Sequence, residues 1–200
     1  MPRDFGPKRE AILNAAFTQF SRYGFRRTSM EDIANETGIS RASLYSHFDN
    51  KEEIFRCLSA SLHEQALGKA ESHLKGTSSQ AGEHIDLTAR VEAALLARLG
   101  PFHEIVTQSE HGIEIADENN QRCGDLVRDS QERFQGMLAR AIKAAARAGE
   151  IDLKAPGLTA AATAELVHLG AAGLKHGAPD MATLEKRLRA FVQVVFAGLR

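Results

Sequence analysis

The chain has 200 residues, of which 43% are apolar and 26% are charged, a composition that is typical of a folded globular protein and excludes a disordered one. Its 25 basic and 26 acidic side chains leave a formal charge of −1. Bulk charge therefore does not indicate a nucleic-acid-binding or membrane-surface protein, and any contact with a polyanion must come from individually placed residues.

Membrane segments and cysteine frameworks are excluded as well. No apolar run reaches the roughly 18 residues of a membrane span, and the first ten residues lack the apolar core of a signal peptide. Cys57 and Cys123 are far apart, which excludes a disulfide framework and a zinc ribbon. We therefore expect a cytoplasmic protein that makes no contact with a membrane.

Apolar residues recur with helical spacing along the whole chain, and no segment alternates with a period of two. This pattern predicts an all-α fold of about nine helices. The first helix carries an apolar stripe that Gly24 ends. After several short helices, a long one is expected over 51–75, with Asp49 or Asn50 as its N-cap. The stripe of the first helix consists of Ile12, Leu13, Ala16, Phe17 and Phe20.

Two short helices joined by a glycine turn are predicted within residues 28–53. Thr28 and Glu31 have the spacing of a capping box that opens the first of them. Gly38 stands where a tight turn needs a positive φ, and Ser40 can cap a second helix over 41–48. Such a helix-turn-helix places the outer face of its second helix in the major groove of DNA.

The polar residues of this segment suit that task. Arg41 lies in the first turn of the second helix, where it can bond guanine bidentately, and Ala42 and Ser43 complete the predicted base contacts. Further side chains can bond phosphates and fix the register on the duplex. The predicted phosphate contacts are Thr28, Ser40, Tyr45, His47 and Lys51.

The second half of the chain is predicted to hold five helices after a loop over 76–82. The first covers 86–99 and is stopped by Gly100 and Pro101, and a short one runs from Phe102 toward Gly112. A long helix over 117–148 follows. The last two helices, over 158–176 and 180–200, differ because the first is rich in small residues and the second in large apolar ones.

The last pair has two possible interpretations. It can form an internal antiparallel hairpin, or it can meet its own copy in a two-fold four-helix interface. Under the second interpretation, the dimer interface consists of Ala164, Val167, Ala171, Leu188, Phe191 and Val195.

The helix-turn-helix segment resembles the TetR family of bacterial transcriptional repressors. The fixed residue types of that family's DNA-binding head recur here at the same spacing, with Thr37 and Ala42 in place of an alanine and a glycine. The matching residues are Thr28, Ile33, Ala34, Gly38, Ile39, Ser40, Leu44, Tyr45, His47, Phe48, Lys51 and Ile54.

The resemblance implies a DNA-binding domain over 1–53 and a helical ligand-binding and dimerisation domain over 54–200, joined by the long connector helix. It also implies a homodimer on a pseudo-palindromic operator that releases DNA when a small molecule binds. A ligand-independent regulator, whose second domain only dimerises, is the alternative. Candidate residues of the effector pocket are Phe102, His103, Val106, Met137 and His168.

Other functions find less support in the sequence. No nucleophile elbow, P-loop, dinucleotide fingerprint or zinc-protease motif is present, so we expect no enzyme. No cofactor or metal site is predicted, because the histidines lack a compact ligand spacing. Cys123 could still be a reactive thiol, and an acidic run could favour a cationic effector. That run consists of Glu110, Glu114, Asp117 and Glu118.

Overall fold

The computed structural model describes residues 6–76, 85–154 and 157–199, and all regular structure in these ranges is helical. The predicted all-α fold is therefore confirmed. The loop predicted over 76–82 lies, apart from Gly76, outside the described residues, as does Pro156. The helices are α1 (Gly6–Tyr23), α2 (Met30–Thr37), α3 (Arg41–Tyr45), α4 (Lys51–Leu74), α5 (Leu87–Gln108), α6 (Gly112–Arg122), α7 (Gly124–Ala148), α8 (Ala160–Leu174) and α9 (Met181–Ala197).

The chain forms two compact units. The first comprises Met1–Gln65 and Glu104–Arg128, and the second comprises Ala66–His103 and Asp129–Arg200. Helices α4, α5 and α7 each contribute residues to both units. The first unit thus contains more than the predicted DNA-binding domain, because α6 and the ends of its neighbours join it. The predicted division into a DNA-binding domain over 1–53 and a ligand-binding domain over 54–200 stays a prediction.

Aromatic side chains fill the core of the first unit. The rings of Phe20, Phe25 and Phe55 lie 4.9–5.6 Å apart in tilted and edge-on arrangements, which adds to the gain from burying them. Both cysteines, Cys57 and Cys123, are buried in the same cluster. This core holds α1 to α3 together, since all three helices contribute buried side chains to it.

The core of the second unit contains α8 and α9, packed against each other within one chain. The ring of Phe191 lies where a side chain on Gly170 would be, so a small residue permits this close approach. The internal hairpin is therefore present. Four residues of the predicted dimer interface have no exposed surface at all, namely Ala164, Val167, Ala171 and Leu188.

This burial corrects the predicted interface, because a side chain without exposed surface in the single chain cannot contact a second one. Phe191 and Val195 are half-buried against the same core. The prediction was wrong because α8 is apolar on more than one face, and spacing alone does not tell which face is covered by α9. The large apolar side chains that are exposed on the two helices are Leu166, Leu169 and Val194.

Two predicted helix boundaries in the second half are also corrected. Helix α5 continues through Pro101 to Gln108. A proline inside a helix removes one hydrogen bond and costs about 3 kcal/mol. Here the cost is offset because Leu99, Gly100 and His103, on either side of it, are buried.

The helix predicted over 117–148 is instead interrupted at Cys123, which separates α6 from α7. The carbonyl group of Arg122, at the end of α6, accepts a hydrogen bond from the Arg56 guanidinium. This bond satisfies a carbonyl at the helix end. Because the donor is far away in sequence, the apolar spacing around Cys123 could not predict that the helix ends there.

Candidate nucleic-acid interface

The helix-turn-helix begins one residue later than its spacing suggests. Ser29, rather than Thr28, is the N-cap of α2, and its hydroxyl accepts a hydrogen bond from the backbone N–H of Asp32. The Asp32 carboxylate accepts in turn from the N–H of Ser29 at 2.8 Å. This reciprocal pair is a capping box built with aspartate. The hydrogen bonds from Ser29 lower the pKa of Asp32.

The turn between the two helices has the predicted chemistry. Gly38 adopts φ 73° and ψ 27°, in the left-handed region that favours glycine. The hydroxyl of Ser40 then caps α3 by accepting from the N–H of Ser43 at 3.1 Å. Helix α3 ends at Tyr45, earlier than predicted, and a turn leads to the buried Phe48.

The three predicted base-contacting residues lie together in the first turn of α3. Arg41 and Ala42 are exposed and Ser43 is half-buried. The Arg41 guanidinium lies 4.0 Å from the Glu31 carboxylate and 5.6 Å from the centre of the Tyr45 ring. Both of these neighbours are themselves exposed, so the contacts are weak and the guanidinium can exchange them for a base edge.

Three of the predicted phosphate contacts have side chains that reach the surface. Ser40 and Tyr45 are exposed, and His47 is half-buried. The backbone carbonyl of His47 accepts a 2.7 Å hydrogen bond from Arg9, whose guanidinium also lies 4.1 Å from the centre of the Phe48 ring. Arg9 thus fixes the turn after α3, and with it the position of these polar groups.

Thr28 does not belong among the phosphate contacts. Its side chain is only 2% exposed, and its hydroxyl donates to the carbonyl of Gly24 at 2.7 Å. The same hydroxyl lies 3.3 Å from the carbonyl of Gln19. Its predicted place at the N-terminus of α2 suggested an anion site, but the hydroxyl satisfies the end of α1 instead.

Lys51 is the second correction. Its ammonium group donates three hydrogen bonds, at 2.7–3.1 Å, to the carbonyl groups of Phe25, Arg26 and Thr28. It also lies 4.5 Å from the centre of the Phe25 ring. An ammonium group has three donors, and here all three are used within the chain. Lys51 therefore holds the loop between α1 and α2 and is removed from the phosphate contacts.

An ion-pair network that the sequence analysis did not identify supports this loop from α6. The carboxylate of Glu118, 2% exposed, accepts from Arg26 at 2.7 Å and from Arg122 at 2.6 Å. Arg122 also bonds Glu52 at 2.6 Å. The hydrogen bond from Arg26, followed by that from Arg122, lowers the pKa of Glu118. Only the four-residue spacing of Glu118 and Arg122 was readable in advance.

A bidentate pair accompanies the network at the start of α7. Both terminal nitrogens of Arg56 bond the Asp125 carboxylate, at 2.9 and 2.6 Å. The hydrogen bond from Arg56 is the main reason that the pKa of Asp125 falls to about 2. These contacts join α4, α6 and α7 within the first unit.

The acidic run proposed for a cationic effector is largely engaged by the same loop. Glu118 holds two arginines, and Glu114 accepts a hydrogen bond from the backbone N–H of Arg26 at 2.9 Å. Glu114 also lies 3.5 Å from His111. Two of the four carboxylates are therefore used inside the unit, and the run does not form a free cation site.

The candidate effector-pocket residues divide between the two units. Val106 belongs to the first unit, whereas the other four belong to the second. His103 and His168 are buried, and the rings of His168 and Phe134 lie 5.9 Å apart. Nε2 of His103 lies 3.3 Å from the carbonyl oxygen of Asp180. Phe102 and Met137 are half-buried.

Thiol and metal chemistry find no support in the described residues. Cys123 has no exposed surface, and burial raises the pKa of its thiol, so the reactive thiolate is disfavoured. In the ranges 6–76, 85–154 and 157–199, no three metal-ligating side chains come together. Within those ranges, none of the helices is long and apolar enough to span a membrane.

Comparison with known proteins agrees with this geometry. Residues 12–58 match the family of bacterial regulatory proteins designated tetR. The HTH-type transcriptional regulator TtgR of Pseudomonas putida is 31% identical over 72% of this chain and 70% of its own length. The probable HTH-type transcriptional regulator ArpR, also of Pseudomonas putida, is 30% identical over 73% and 71%, respectively.

Solved structures share the fold over nearly the whole chain. SmeT, the repressor of the Stenotrophomonas maltophilia multidrug efflux pump SmeDEF, has a TM-score of 0.69 at 20% identity and covers 98% of this chain and 92% of its own. A transcriptional regulator of Cytophaga hutchinsonii has a TM-score of 0.75 at 19% identity, over 95% and 97%. Such regulators act on DNA and are not enzymes, as expected. The chain belongs to the TetR family and is a helix-turn-helix, DNA-binding regulator of transcription.

Proposed function

We propose that this regulator is a homodimeric repressor, which binds a pseudo-palindromic operator and releases it when a small molecule binds the second unit. The observation that carries the proposal is the surface of α3, where Arg41 and Ala42 are exposed at the start of a capped helix. In this proposal Arg41, Ala42 and Ser43 contact bases, and Ser40, Tyr45 and His47 contact phosphates. It acts in the cytoplasm, where its operator is accessible.

Exposed apolar side chains on α8 and α9 support the dimer. Leu166 and Leu169 are each 57% exposed and Val194 is 73% exposed. Leu166 and Leu169, three residues apart, share one face of α8, and exposed apolar surface of this kind is typical of an interface. A two-fold axis through these helices presents the same patch from both copies, and in this proposal the dimer binds two half-sites related by the same symmetry.

The relatives support repression and a small-molecule effector. SmeT is described as a repressor and has been solved in complex with triclosan. An effector can shift a regulator only by binding one of its states more tightly than another. We therefore propose that the effector binds the second unit more tightly when the dimer is free of DNA.

Selection of binding sites from random duplex DNA tests the proposal. The protein should enrich a sequence with two-fold symmetry, and native mass spectrometry should show a dimer whose excess mass reveals any retained ligand.

Arg41→Ala should cost about 1–3 kcal/mol of operator binding and relax the preference at one position in each half-site. Lys143→Ala, an exposed change on α7, is the control. An unchanged preference after Arg41→Ala would contradict the docking of α3, and a regulator that no small molecule releases would favour the ligand-independent alternative.

A further inference from the structure

A buried arginine in the second unit has no counter-ion among the residues that the structure describes. Arg98, on α5, is 5% exposed, and its Nε has no hydrogen-bond partner among the described residues. Its guanidinium carbon lies 5.2 Å from the centre of the Phe102 ring. Burial lowers the pKa of Arg98 to about 10, so the side chain still carries its charge at neutral pH. A buried charge without a partner destabilises a protein.

Two titratable groups that interact electrostatically with Arg98 are also basic. His168 on α8 is buried, and Lys175, directly after α8, is half-buried. Burial first, and then the positive charge of Arg98, lowers the pKa of His168 and of Lys175. The charges of Arg98 and Lys175 therefore repel each other, and the charged form of His168 is disfavoured in the same surroundings.

Four acidic residues of the same unit form ion pairs, and each pairs with a base other than Arg98. Glu92 bonds Arg189 at 2.9 Å, and Glu150 bonds Arg90 at 3.3 Å. The remaining described ion pairs of the unit are Glu71 with Lys75 and Asp129 with Arg133. Arg90 and Arg189, both more exposed than Arg98, thus have acidic partners, whereas Arg98 has none among the described residues.

A buried hydroxyl adds a second unsatisfied donor. Ser130 is 1% exposed, and its Oγ has no partner within the described chain. It lies on α7, four residues before Phe134, whose ring contacts that of His168. Residues four apart share one face of a helix, so this hydroxyl and the ring face the same way.

The cationic cleft of the first unit provides a contrast. It has a volume of 860 Å³ and is lined by Arg9, Lys51, Arg56 and Arg122. Every one of these bases has partners on the chain, either carboxylates or backbone carbonyls. Arg98 differs from them because nothing within the described ranges neutralises it.

We propose that the effector is an organic carboxylate with an apolar body, bound through Arg98 with His168 and Lys175. The proposal rests on the proposed function, since it names the chemical class of that effector. A guanidinium matches a carboxylate with two parallel hydrogen bonds. Phe102, Phe134 and Met137 supply apolar contacts for the rest of the molecule. The unpaired arginine is thus the half of an ion pair that the ligand completes.

Thermal unfolding with matched probes tests the charge requirement. Sodium octanoate and sodium benzoate should raise the midpoint by several degrees, whereas octanamide and benzamide, of the same shape without charge, should not. Phenyl phosphate tests the other common anion, and benzyltrimethylammonium tests a cation. If the amides or the cation stabilise as much as the carboxylates, or if only phenyl phosphate stabilises, the proposal is overturned.

A substitution gives a test that does not depend on the choice of probe. Arg98→Met keeps an unbranched apolar side chain out to the position of Nε and removes the unpaired charge, so the unliganded protein should melt at a higher temperature. The same variant should bind the carboxylates about 10- to 100-fold more weakly. Arg189→Met, which removes a largely exposed arginine of the same unit, should change neither property. A lower midpoint for unliganded Arg98→Met, or unchanged carboxylate binding, would overturn the proposal.

Operator binding separates this proposal from the function on which it rests. Arg98→Met should bind the selected operator as the parent does and should retain it when carboxylate is added. If the carboxylates stabilise the parent through Arg98 but leave its operator affinity unchanged, the site stands and ligand-induced release fails. If the operator is bound and none of the carboxylates acts through Arg98, the site fails and DNA binding stands.

Discussion

Lys51 stabilises the fold of the DNA-binding head from a position where a phosphate contact was expected. Because its ammonium group satisfies three loop carbonyls, Lys51→Met should lower the free energy of unfolding by about 2–3 kcal/mol. Denaturant titration measures this loss. Lys143→Met, on the exposed face of α7, should change stability little.

The salt dependence of operator binding provides an independent readout for the same variant. A lysine that neutralises a phosphate contributes about one unit to the salt slope per contact. The folded Lys51→Met protein should have the same salt slope as the parent, because the ammonium group of Lys51 in the parent does not reach DNA. A slope that falls by about one unit per half-site would restore Lys51 to the phosphate contacts.

Glu118 makes the stability of the first unit depend on pH. Its pKa in the folded chain lies below the usual 4.5, chiefly because Arg26 and then Arg122 donate to it. The deprotonated carboxylate therefore stabilises the fold above about pH 4.5, and this contribution is lost as the pH falls through the lower, folded pKa.

Glu118→Gln should remove that dependence. At pH 7 the variant should lose about 1–3 kcal/mol, because two charge-assisted hydrogen bonds are weakened. Denaturation measured from pH 7 down to pH 3 should show the stabilities of the two proteins converging in acid. Asp129→Asn, which affects only an exposed pair with Arg133, should follow the parent at every pH. A constant difference between Glu118→Gln and the parent would contradict the assignment.

At the scale of helices, the junction of α5 and α6 tolerates only glycine. A Cβ on Gly112 would come within 2.6 Å of the Val106 backbone and still closer to the carbonyl oxygen of Ile105. Backbone atoms cannot move aside as a side chain can, so Gly112→Ala should destabilise the protein by about 1–3 kcal/mol.

The matched substitution Gly68→Ala should have the opposite sign. Gly68 lies on the exposed side of α4, and a Cβ added there would meet no atom within 4 Å, so alanine should stabilise that helix by up to about 1 kcal/mol. Thermal melts should therefore show a lower midpoint for Gly112→Ala and a higher midpoint for Gly68→Ala than for the parent. Equal effects would mean that the α5–α6 junction is looser than the structure indicates.

Local chemistry made the helix-turn-helix predictable, since caps and turn glycines act within a few residues. Gly38 and Ser40 have the predicted roles, and Asn50 caps α4 by accepting from the N–H of Glu53. Prediction failed where distant partners decide the outcome. The continuation of α5 through Pro101 depends on burial, and the end of α6 depends on Arg56. Arg98 could have been noticed as the one charge within the apolar stripe of Val91, Leu95 and Leu99.

At the scale of the whole molecule, dimerisation should depend on the exposed face of α8 and α9. Leu169→Asp places a charge on that face, and we expect it to yield a monomer in sedimentation equilibrium, because burying an unpaired carboxylate is costly. Operator affinity should fall steeply, since a monomer engages only one half-site.

Ile113→Asp is the control for this variant. Ile113 is also apolar and is 71% exposed, but it lies on α6 in the first unit. Its substitution should leave the mass in solution unchanged. If Leu169→Asp remains a dimer, or if Ile113→Asp dissociates, the interface lies elsewhere on the chain.

The positions of the two cysteines allow local opening of the first unit to be measured by thiol labelling. Cys57 and Cys123 are both buried in the first unit, and the second unit contains no cysteine. The rate at which a thiol reagent labels the native protein therefore reports the transient opening of the DNA-binding unit alone. Operator DNA should slow this labelling directly. Any effect of a second-unit ligand on the same rate would measure the coupling free energy between the two units, without any introduced cysteine or other mutation.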